Sequence, residues 1–227
     1  MTRTLVGVAL VLAASTAGYA QAGAAAPTAR VEVEVGGGVF GGARLGARDA
    51  NLRSNAQAPQ PYRLFTADSR LASTPSLRLR TAVPLGRRLA IEGGLTWGRP
   101  EIRTSLTADA EGAASITSVE RIDQYAFDVS LVWMLDALRV GERLLPFVSG
   151  GGGYLRQLHE GRTLVEHGQV YRAGGGVRYR LMVRPEGFVR SMGLRADALV
   201  EVLRGGIAFE DRPRSHAAIS GGLYVGF

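Results

Sequence analysis

Residues 124–133 of the chain read QYAFDVSLVW, and this stretch decides the fold. Its apolar side chains fall on every second position, at Tyr125, Phe127, Val129, Leu131 and Trp133. The intervening positions include the polar residues Gln124, Asp128 and Ser130. A period of two is the spacing of a β-strand, in which successive side chains point to opposite faces. The stretch therefore predicts a strand with one apolar and one polar face, longer than is usual in globular sheets.

The same alternation recurs on both sides of this stretch. Eight runs show it, at residues 31–35, 77–80, 89–97, 124–133, 146–157, 171–181, 192–202 and 216–227. The fifth run contains the glycines 150–153, so its register is the least well defined. Placing Phe147 and Leu155 on the outer face puts Tyr154 and Arg156 on the inner face. The sequence thus predicts eight strands.

The connections between the runs alternate in length. The short ones are residues 86–88, 136–143 and 184–187, and the long ones are 42–75, 107–120, 159–168 and 204–213. Short turns at one end of the sheet and long loops at the other are typical of a transmembrane barrel. A soluble β-sandwich does not require its short and long connections to lie at opposite ends. We therefore predict an all-β fold, an eight-stranded antiparallel transmembrane β-barrel over residues 31–227, with both termini at the periplasmic end.

In this barrel we expect the apolar faces to meet lipid and the charged faces to fill the lumen. Aromatic residues near strand ends would form the interface girdles: Trp97, Tyr125, Trp133, Tyr171 and Phe227. The inward acids would be Glu32, Glu34, Glu92, Asp128, Asp197 and Glu201, and the inward arginines Arg78, Arg80, Arg156, Arg172, Arg178, Arg180 and Arg195. Buried charges persist only when paired, and the interior of eight strands is narrow enough for side chains to fill. The sequence predicts a lumen closed by a charge network.

The N-terminus has the pattern of a secretory signal peptide. Arg3 precedes the apolar run Leu5–Ala14, which is too short for a transmembrane helix, and small residues follow. We predict a signal peptide over residues 1–22, cleaved after Ala20 or Ala22, and a short periplasmic segment over residues 23–30. A buried N-terminal helix is the alternative, although no amphipathic period supports it.

The composition is compatible with an exported barrel. The chain has no cysteine, so its stability cannot come from disulfides, and its mean hydropathy of +0.05 excludes a bundle of transmembrane helices. The net charge is +7, and every basic side chain in it is arginine. These arginines alternate with apolar residues rather than forming a basic stripe, so we expect no nucleic-acid partner.

On these features the chain resembles the eight-stranded bacterial outer-membrane β-barrel family typified by the OmpA membrane domain and OmpX. Its last strand, Ala218–Phe227, resembles the signal read by the barrel-assembly machinery, carried here by Gly221, Leu223, Val225 and Phe227. The start Pro146-Phe147-Val148 before a glycine run also looks like a strand of this family. The resemblance implies a monomer in the outer membrane, in contact with its lipid. The barrel runs to the last residue, so we expect no cell-wall tether.

No catalytic or cofactor site is expected. Some barrels of this size are lipid A deacylases with a Ser/His/acid arrangement, for which Ser215, His216, Ser220 and Glu201 are the candidates here. On a strand His216 and Ser220 lie about 13 Å apart, and Ser215 faces away from His216, so the arrangement is not met. His159-Glu160 and Glu166-His167 would bind a metal only if their loop closed as a hairpin, and the simpler interpretation is a solvated loop.

The first long loop is the most suggestive surface segment. It carries Arg44, Arg48, Arg53, Arg63 and Arg70, whose guanidinium groups suit the phosphates of lipopolysaccharide, although a solvated loop is equally compatible. We therefore expect a non-enzymatic barrel with a structural or surface-interaction role through its long loops. The alternatives are a narrow porin-like channel and a lipid A-modifying enzyme. Paired lumen charges would favour a closed barrel, and unpaired like charges a pore.

Overall fold

The computed structural model describes residues 31–52, 62–160, 164–184, 186–207 and 212–227. Within these ranges the chain forms twelve strands and one 3₁₀ turn, Asp136–Leu138. The strands are β1 (Glu32–Phe40), β2 (Ala43–Leu52), β3 (Tyr62–Leu71), β4 (Thr74–Pro84), β5 (Leu89–Gly98), β6 (Glu101–Thr107), β7 (Ile116–Arg121), β8 (Asp123–Met134), β9 (Leu144–Leu158), β10 (Val165–Val183), β11 (Ser191–Gly205) and β12 (Arg214–Gly226). The expected signal peptide and the segment 23–30 lie outside the described residues. Among those described, no helix is long and apolar enough to span a bilayer.

Eight of the strands close into an antiparallel barrel in the order β1-β12-β11-β10-β9-β8-β5-β4. The first and last strands meet along their whole length, from Glu32 opposite Gly226 to Phe40 opposite Ala218, and β4 pairs with the other edge of β1. A closed sheet leaves no strand edge unpaired. The predicted fold class, all-β with an eight-stranded antiparallel barrel, is confirmed.

The two longest connections differ from their prediction as loops. Residues 42–75 contain the hairpin β2-β3 and residues 107–120 extend the hairpin β6-β7, and together these form a second sheet in the order β2-β3-β6-β7, here called the outer sheet. The pairing of β2 with β3 shifts register twice, between Arg44 and Gly46 and between Ala50 and Asn51. Each shift interrupts the period of two, which is why the alternation test does not detect these strands.

The barrel is inverted relative to a soluble one. On β8, Phe127 is 48% exposed on the outside, whereas its neighbour Asp128 is 8% exposed on the inside. The other barrel strands repeat this arrangement, with apolar residues such as Val35, Leu79 and Leu223 exposed on the outer face. The outer surface is therefore an apolar band.

The expected register of β9 is wrong. Phe147 and Leu155 are 1% and 0% exposed inside the barrel, and Tyr154 and Arg156 lie on the outer face. The four intervening glycines carry no side chains that would mark either face. The lumen also contains apolar layers on both sides of its charged residues, which were not predicted from the sequence. Phe147 belongs to one layer and Leu155 to the other.

Inward glycines permit the close strand contact of this region. A Cβ atom on Gly151 or Gly153 would overlap the backbone carbonyl oxygen of Val129 or Phe127 on β8. Gly93, on the outer face of β5, has no atom within 4 Å of such a position. The barrel wall between β8 and β9 therefore has no room for inward side chains at these two positions.

Candidate functional site in the barrel lumen and the outer sheet

Two arginines of β4 reach across the lumen to acids of β11. Arg78 Nη2 lies 3.0 Å from Glu201 Oε1, and Arg80 Nη1 lies 2.9 Å from Asp197 Oδ2. In the barrel order β1 and β12 stand between these strands, so the ion pairs bridge elements that share no backbone hydrogen bonds. Arg80 also lies 3.5 Å from Glu34 on β1. The pair with Glu34 adds a side-chain contact between two strands that are already paired, whereas the pairs with Glu201 and Asp197 join β4 to β11 by side chains alone.

Glu92 on β5 is the acceptor for two arginines from the opposite wall. Arg178 Nη2 donates to its Oε1 at 3.1 Å, and Arg195 Nη1 donates to the same oxygen. Arg178 also pairs with Glu32 at 2.6 Å, and Arg195 with Asp197 at 2.9 Å. Loss of Glu92 would therefore affect both guanidinium groups at once.

The network is buried and densely packed. Arg172 Nη1 pairs with Asp128 Oδ1 at 2.8 Å and completes the set of five arginines and six carboxylates. The two cavities among these side chains have volumes of ≈ 10 Å³ each, so each has room for at most one water molecule. The Nε atoms of Arg172 and Arg178 have no hydrogen-bond acceptor among the described residues, and one of these cavities borders each arginine. Among the described residues, these cavities within the charged layer are too small to pass a solute.

Apolar layers lie on both sides of the charged layer. Ala90, Val132, Met134, Leu145 and Phe147 form the layer toward the end of the barrel where β1 begins and β12 ends. Ala126, Leu155, Val170 and Leu203 form the layer toward the outer sheet, beside a 2.7 Å hydrogen bond from Gln157 to Gln124. A third cluster, built from the outer sheet and Ile122, contacts Ile207 at the outer end of β11. Within the described residues, the lumen is therefore filled by successive apolar and charged layers.

The structure brings together all the expected lumen residues except two. Arg156 lies on the outer face for the reason given above. Arg180 is half-buried at the mouth of the barrel where β1 begins and β12 ends, in a vestibule of ≈ 110 Å³. The expected network did not include His216 or Ser220: His216 Nε2 lies 3.2 Å from Glu201, and Arg78 donates to Ser220 Oγ at 2.9 Å. Alternation had placed both residues on the charged face, which is the signal that identifies them.

The candidates for enzymatic and metal chemistry lie in different surroundings. Ser215 lies on the outer face, whereas His216 is buried in the lumen beside Glu201, so Ser215 and His216 do not form a nucleophile–base pair. His159 Nδ1 contacts Glu120 at 2.6 Å, whereas His167 bonds with Tyr154. Among the described residues, no group of three His, Asp or Glu side chains lies close enough to hold a metal ion.

The outer sheet carries a row of arginines. Arg44 of β2 lies opposite Arg70 of β3, which lies opposite Arg103 of β6, and all three are exposed. Arg44 pairs with Asp68 at 2.7 Å, and Arg103 donates to Glu101 at 3.1 Å. That hydrogen bond holds the pKa of Glu101 below its ordinary value.

The structure describes two of the three remaining arginines that were predicted in the first long loop. Arg48 and Arg63 are exposed on the outer sheet as well, and Arg53 lies outside the described residues. The chemistry available to this sheet is therefore that of a solvated, basic surface above the apolar band.

Comparison with known proteins shows the fold. No protein-family model matches the chain, and no curated protein matches its sequence. The structure is similar to that of Neisserial surface protein A, NspA, with a TM-score of 0.52 and 13% identity over 87% of this chain and 97% of that one. It also matches Ail, the attachment invasion locus protein of Yersinia pestis, solved in complex with the heparin analogue sucrose octasulfate, with a TM-score of 0.37 and 11% identity over 86% and 99% of the chains. The finer resemblance to OmpA and OmpX stays a prediction. The chain has the closed eight-stranded antiparallel fold seen in outer-membrane β-barrels such as NspA.

Proposed function

We propose that this protein is a non-enzymatic barrel of the bacterial outer membrane, closed to solutes, that presents its outer sheet at the cell surface as an interaction platform. The paired lumen network is the observation that carries this proposal. A barrel whose interior is filled by cross-lumen ion pairs has no room for a substrate or a water column. Its activity then resides in what it exposes.

The outer face supports a membrane location. Phe127, Val129 and Leu131 on β8 are each about half exposed, and such a band is favourable only against lipid. Trp97 and Tyr125 lie opposite each other at the outer-sheet end of the band, and Trp133 lies at the periplasmic end. Aromatic residues at both rims match the two interfaces of a bilayer.

The last strand supports assembly by the barrel-assembly machinery. Leu223 lies on the outer face of β12, and Gly221 and Val225 share that face by alternation. Phe227 follows the strand, donates its backbone N–H to the Val31 carbonyl oxygen at 2.9 Å and packs against Phe188 in a tilted arrangement with ring centroids 4.9 Å apart. The last strand has an apolar outer face suited to recognition by the assembly machinery, and it pairs with β1 to close the barrel.

The arginine row supports an anionic partner for the outer sheet. Like charges directly opposite one another destabilise a sheet, and Arg44, Arg70 and Arg103 stand opposite one another across three strands. Counter-charge from a partner would relieve this repulsion. Among surface polyanions, lipopolysaccharide lies nearest to this sheet in the proposed location, and arginine binds phosphate in bidentate geometry.

Conductance in a planar bilayer tests the closed lumen. We expect wild-type protein to insert without stable unit conductance, and Glu92→Ala to conduct because the network loses the acceptor shared by Arg178 and Arg195. Stable, large conductance from the wild type would overturn the closed barrel and favour the porin-like alternative. The vestibule at the periplasmic mouth would then be the entrance of a pore.

Cysteine labelling tests the location and the orientation, because the chain contains no native cysteine. Ala113→Cys lies in the exposed β6-β7 connection and Ala137→Cys in the exposed turn before β9. On intact cells we expect a membrane-impermeant maleimide to label the first variant and to label the second only after permeabilisation. Equal labelling of both variants on intact cells would overturn the assignment.

A further inference from the structure

The outer faces of five neighbouring barrel strands change from apolar to polar at the end that carries the outer sheet. On each of these strands, an apolar or aromatic residue on the outer face is followed, two residues closer to the outer sheet, by a polar residue. The pairs are Trp97 and Arg99 at the end of β5, Tyr125 and Asp123 on β8, Tyr154 and Arg156 on β9, Tyr171 and Gln169 on β10, and Val202 and Arg204 on β11. The polar residues stand directly above the aromatic rim of the apolar band. In a bilayer this is the level of the lipid headgroups.

Arg156 and Arg204 differ from their neighbour Arg99. Arg99 Nε donates to Asp123 Oδ1 at 2.7 Å, so its charge is neutralised within the protein. Arg156 and Arg204 are exposed on the outer face, and neither has an ion pair or side-chain hydrogen bond among the described residues. Two guanidinium groups without an acidic partner among the described residues therefore face the headgroup level.

The strand between these two arginines presents further donors to the same patch. On β10, His167 lies opposite Arg156 and Gln169 lies opposite Arg204. Tyr154 bonds with His167 Nδ1 and stacks on its ring, with centroids 5.6 Å apart, so the ring is held in place with Nε2 free. Tyr171 donates to Gln169 Oε1 at 3.0 Å, so the amide N–H groups of Gln169 remain available.

We propose that Arg156 and Arg204, with His167 and Gln169, bind a phosphate group of an outer-leaflet lipid against the outside of the barrel. Guanidinium groups make short, charge-assisted hydrogen bonds to phosphate oxygens, and Tyr154 and Tyr171 provide an apolar surface below them for the lipid chains. The proposal rests on the proposed membrane location. It names a surface distinct from the arginine row of the outer sheet, because it lies on the barrel wall itself.

Lipid retention by the purified protein in a neutral detergent tests this site. Native mass spectrometry would compare lipid A with its chemically dephosphorylated form on the wild type, on Arg156→Gln/Arg204→Gln, and on the control Arg87→Gln/Arg139→Gln, whose exposed arginines lie in turns at the opposite end of the barrel. We expect the wild type and the control to retain lipid A, and the double variant to bind it at least about tenfold more weakly, because it loses two charge-assisted contacts. Each variant is first checked for a folded barrel by its shift on unboiled electrophoresis.

The outcomes separate this site from the other proposals. Equal retention of lipid A by the wild type and the Arg156/Arg204 variant overturns it, as does equal binding of lipid A and dephosphorylated lipid by the wild type, which needs no variant to fold. Displacement of lipid A by a modest excess of inorganic phosphate would show a free-anion site instead. Since the measurement uses purified protein, it stands apart from the cysteine labelling that tests the membrane location.

Discussion

The lumen and the outer sheet both contain arginine–carboxylate pairs, yet the two sets differ in environment. Arg78 and Glu201 pair at 3.0 Å with both side chains 2% exposed, whereas Arg44 and Asp68 pair at 2.7 Å with side chains 70% and 26% exposed. The shorter pair is in water, where an ion pair contributes little. The longer pair is desolvated, so removing one partner leaves the other as a buried charge without a counter-charge. The distance between the charged atoms therefore does not predict which ion pair contributes more to stability, whereas the burial of the pair does.

The largest effect is expected from Glu92→Ala. This change leaves Arg178 and Arg195 without their shared acceptor inside a closed layer, at a cost of about 3–5 kcal/mol in the free energy of unfolding. Urea unfolding of the barrel in micelles, followed by circular dichroism, measures it. A decrease in the free energy of unfolding below about 1 kcal/mol would mean that water already solvates the lumen. The lumen pairs would then not differ in environment from the exposed pairs of the outer sheet.

A smaller effect is expected from Gly153→Ala, which separates packing from charge within the barrel. The new Cβ atom would overlap the Phe127 carbonyl oxygen, and overpacking of this kind costs about 1–3 kcal/mol. The matched control is Gly93→Ala on the outer face, where no atom lies within 4 Å. The same unfolding assay applies to both. Equal stability of the two variants would contradict the close approach of β8 and β9.

Asp68→Ala is expected to change the free energy of unfolding by no more than about 1 kcal/mol, because the pair it breaks is solvent-exposed. Thermal unfolding of the outer sheet, monitored by the solvent exposure of a reporter cysteine at Ala43, which is buried in the folded outer sheet, would detect the change. A loss as large as that of Glu92→Ala would show that exposed pairs matter as much as buried ones, which would contradict the ranking by burial.

The smallest effect concerns the pH dependence of Glu101. Its pKa is lowered in the folded protein by the hydrogen bond from Arg103, so folding favours the charged carboxylate. The contribution is complete above the ordinary pKa of 4.5 and is lost as the pH falls through the lowered folded value. Carboxyl NMR titration of Glu101 measures this shift, with Arg103→Gln as the control that should return the midpoint toward 4.5. A wild-type midpoint at or above the ordinary value would show that the pair does not form.

The sequence predicted the barrel strands and most of the lumen because both depend on a period of two. Asp128, Arg178 and Glu201 could be assigned inward from their neighbours alone, since each has apolar residues on both sides. The ion-pair partners of these residues could not be predicted from the sequence, because they depend on which strands face each other across the barrel. The register of β9 failed where four glycines carry no pattern, and β2-β3 was missed where bulges interrupt the alternation.

Arg156 shows how an error of face changes the chemistry assigned to a residue. On the inner face it would have been a seventh lumen arginine in need of an acid. On the outer face it stands above Tyr154 at the level of the headgroups, without an acidic partner among the described residues. The same alternation rule applied to β11 would have placed Arg204 outward, beyond Val202, but that residue had been assigned to a loop.

The cross-lumen pairs also constrain the order in which the barrel forms. Their partners lie far apart in the chain, with 117 residues between Arg80 and Asp197 and 146 between Arg178 and Glu32. Contacts of such high sequence separation form only after most of the sheet exists. A sheet in which β1 has not met β12 leaves these charges facing an open cleft that must stay hydrated. Closing the seam brings the partners together and removes that water in one step, so dehydration of the interior coincides with the end of folding.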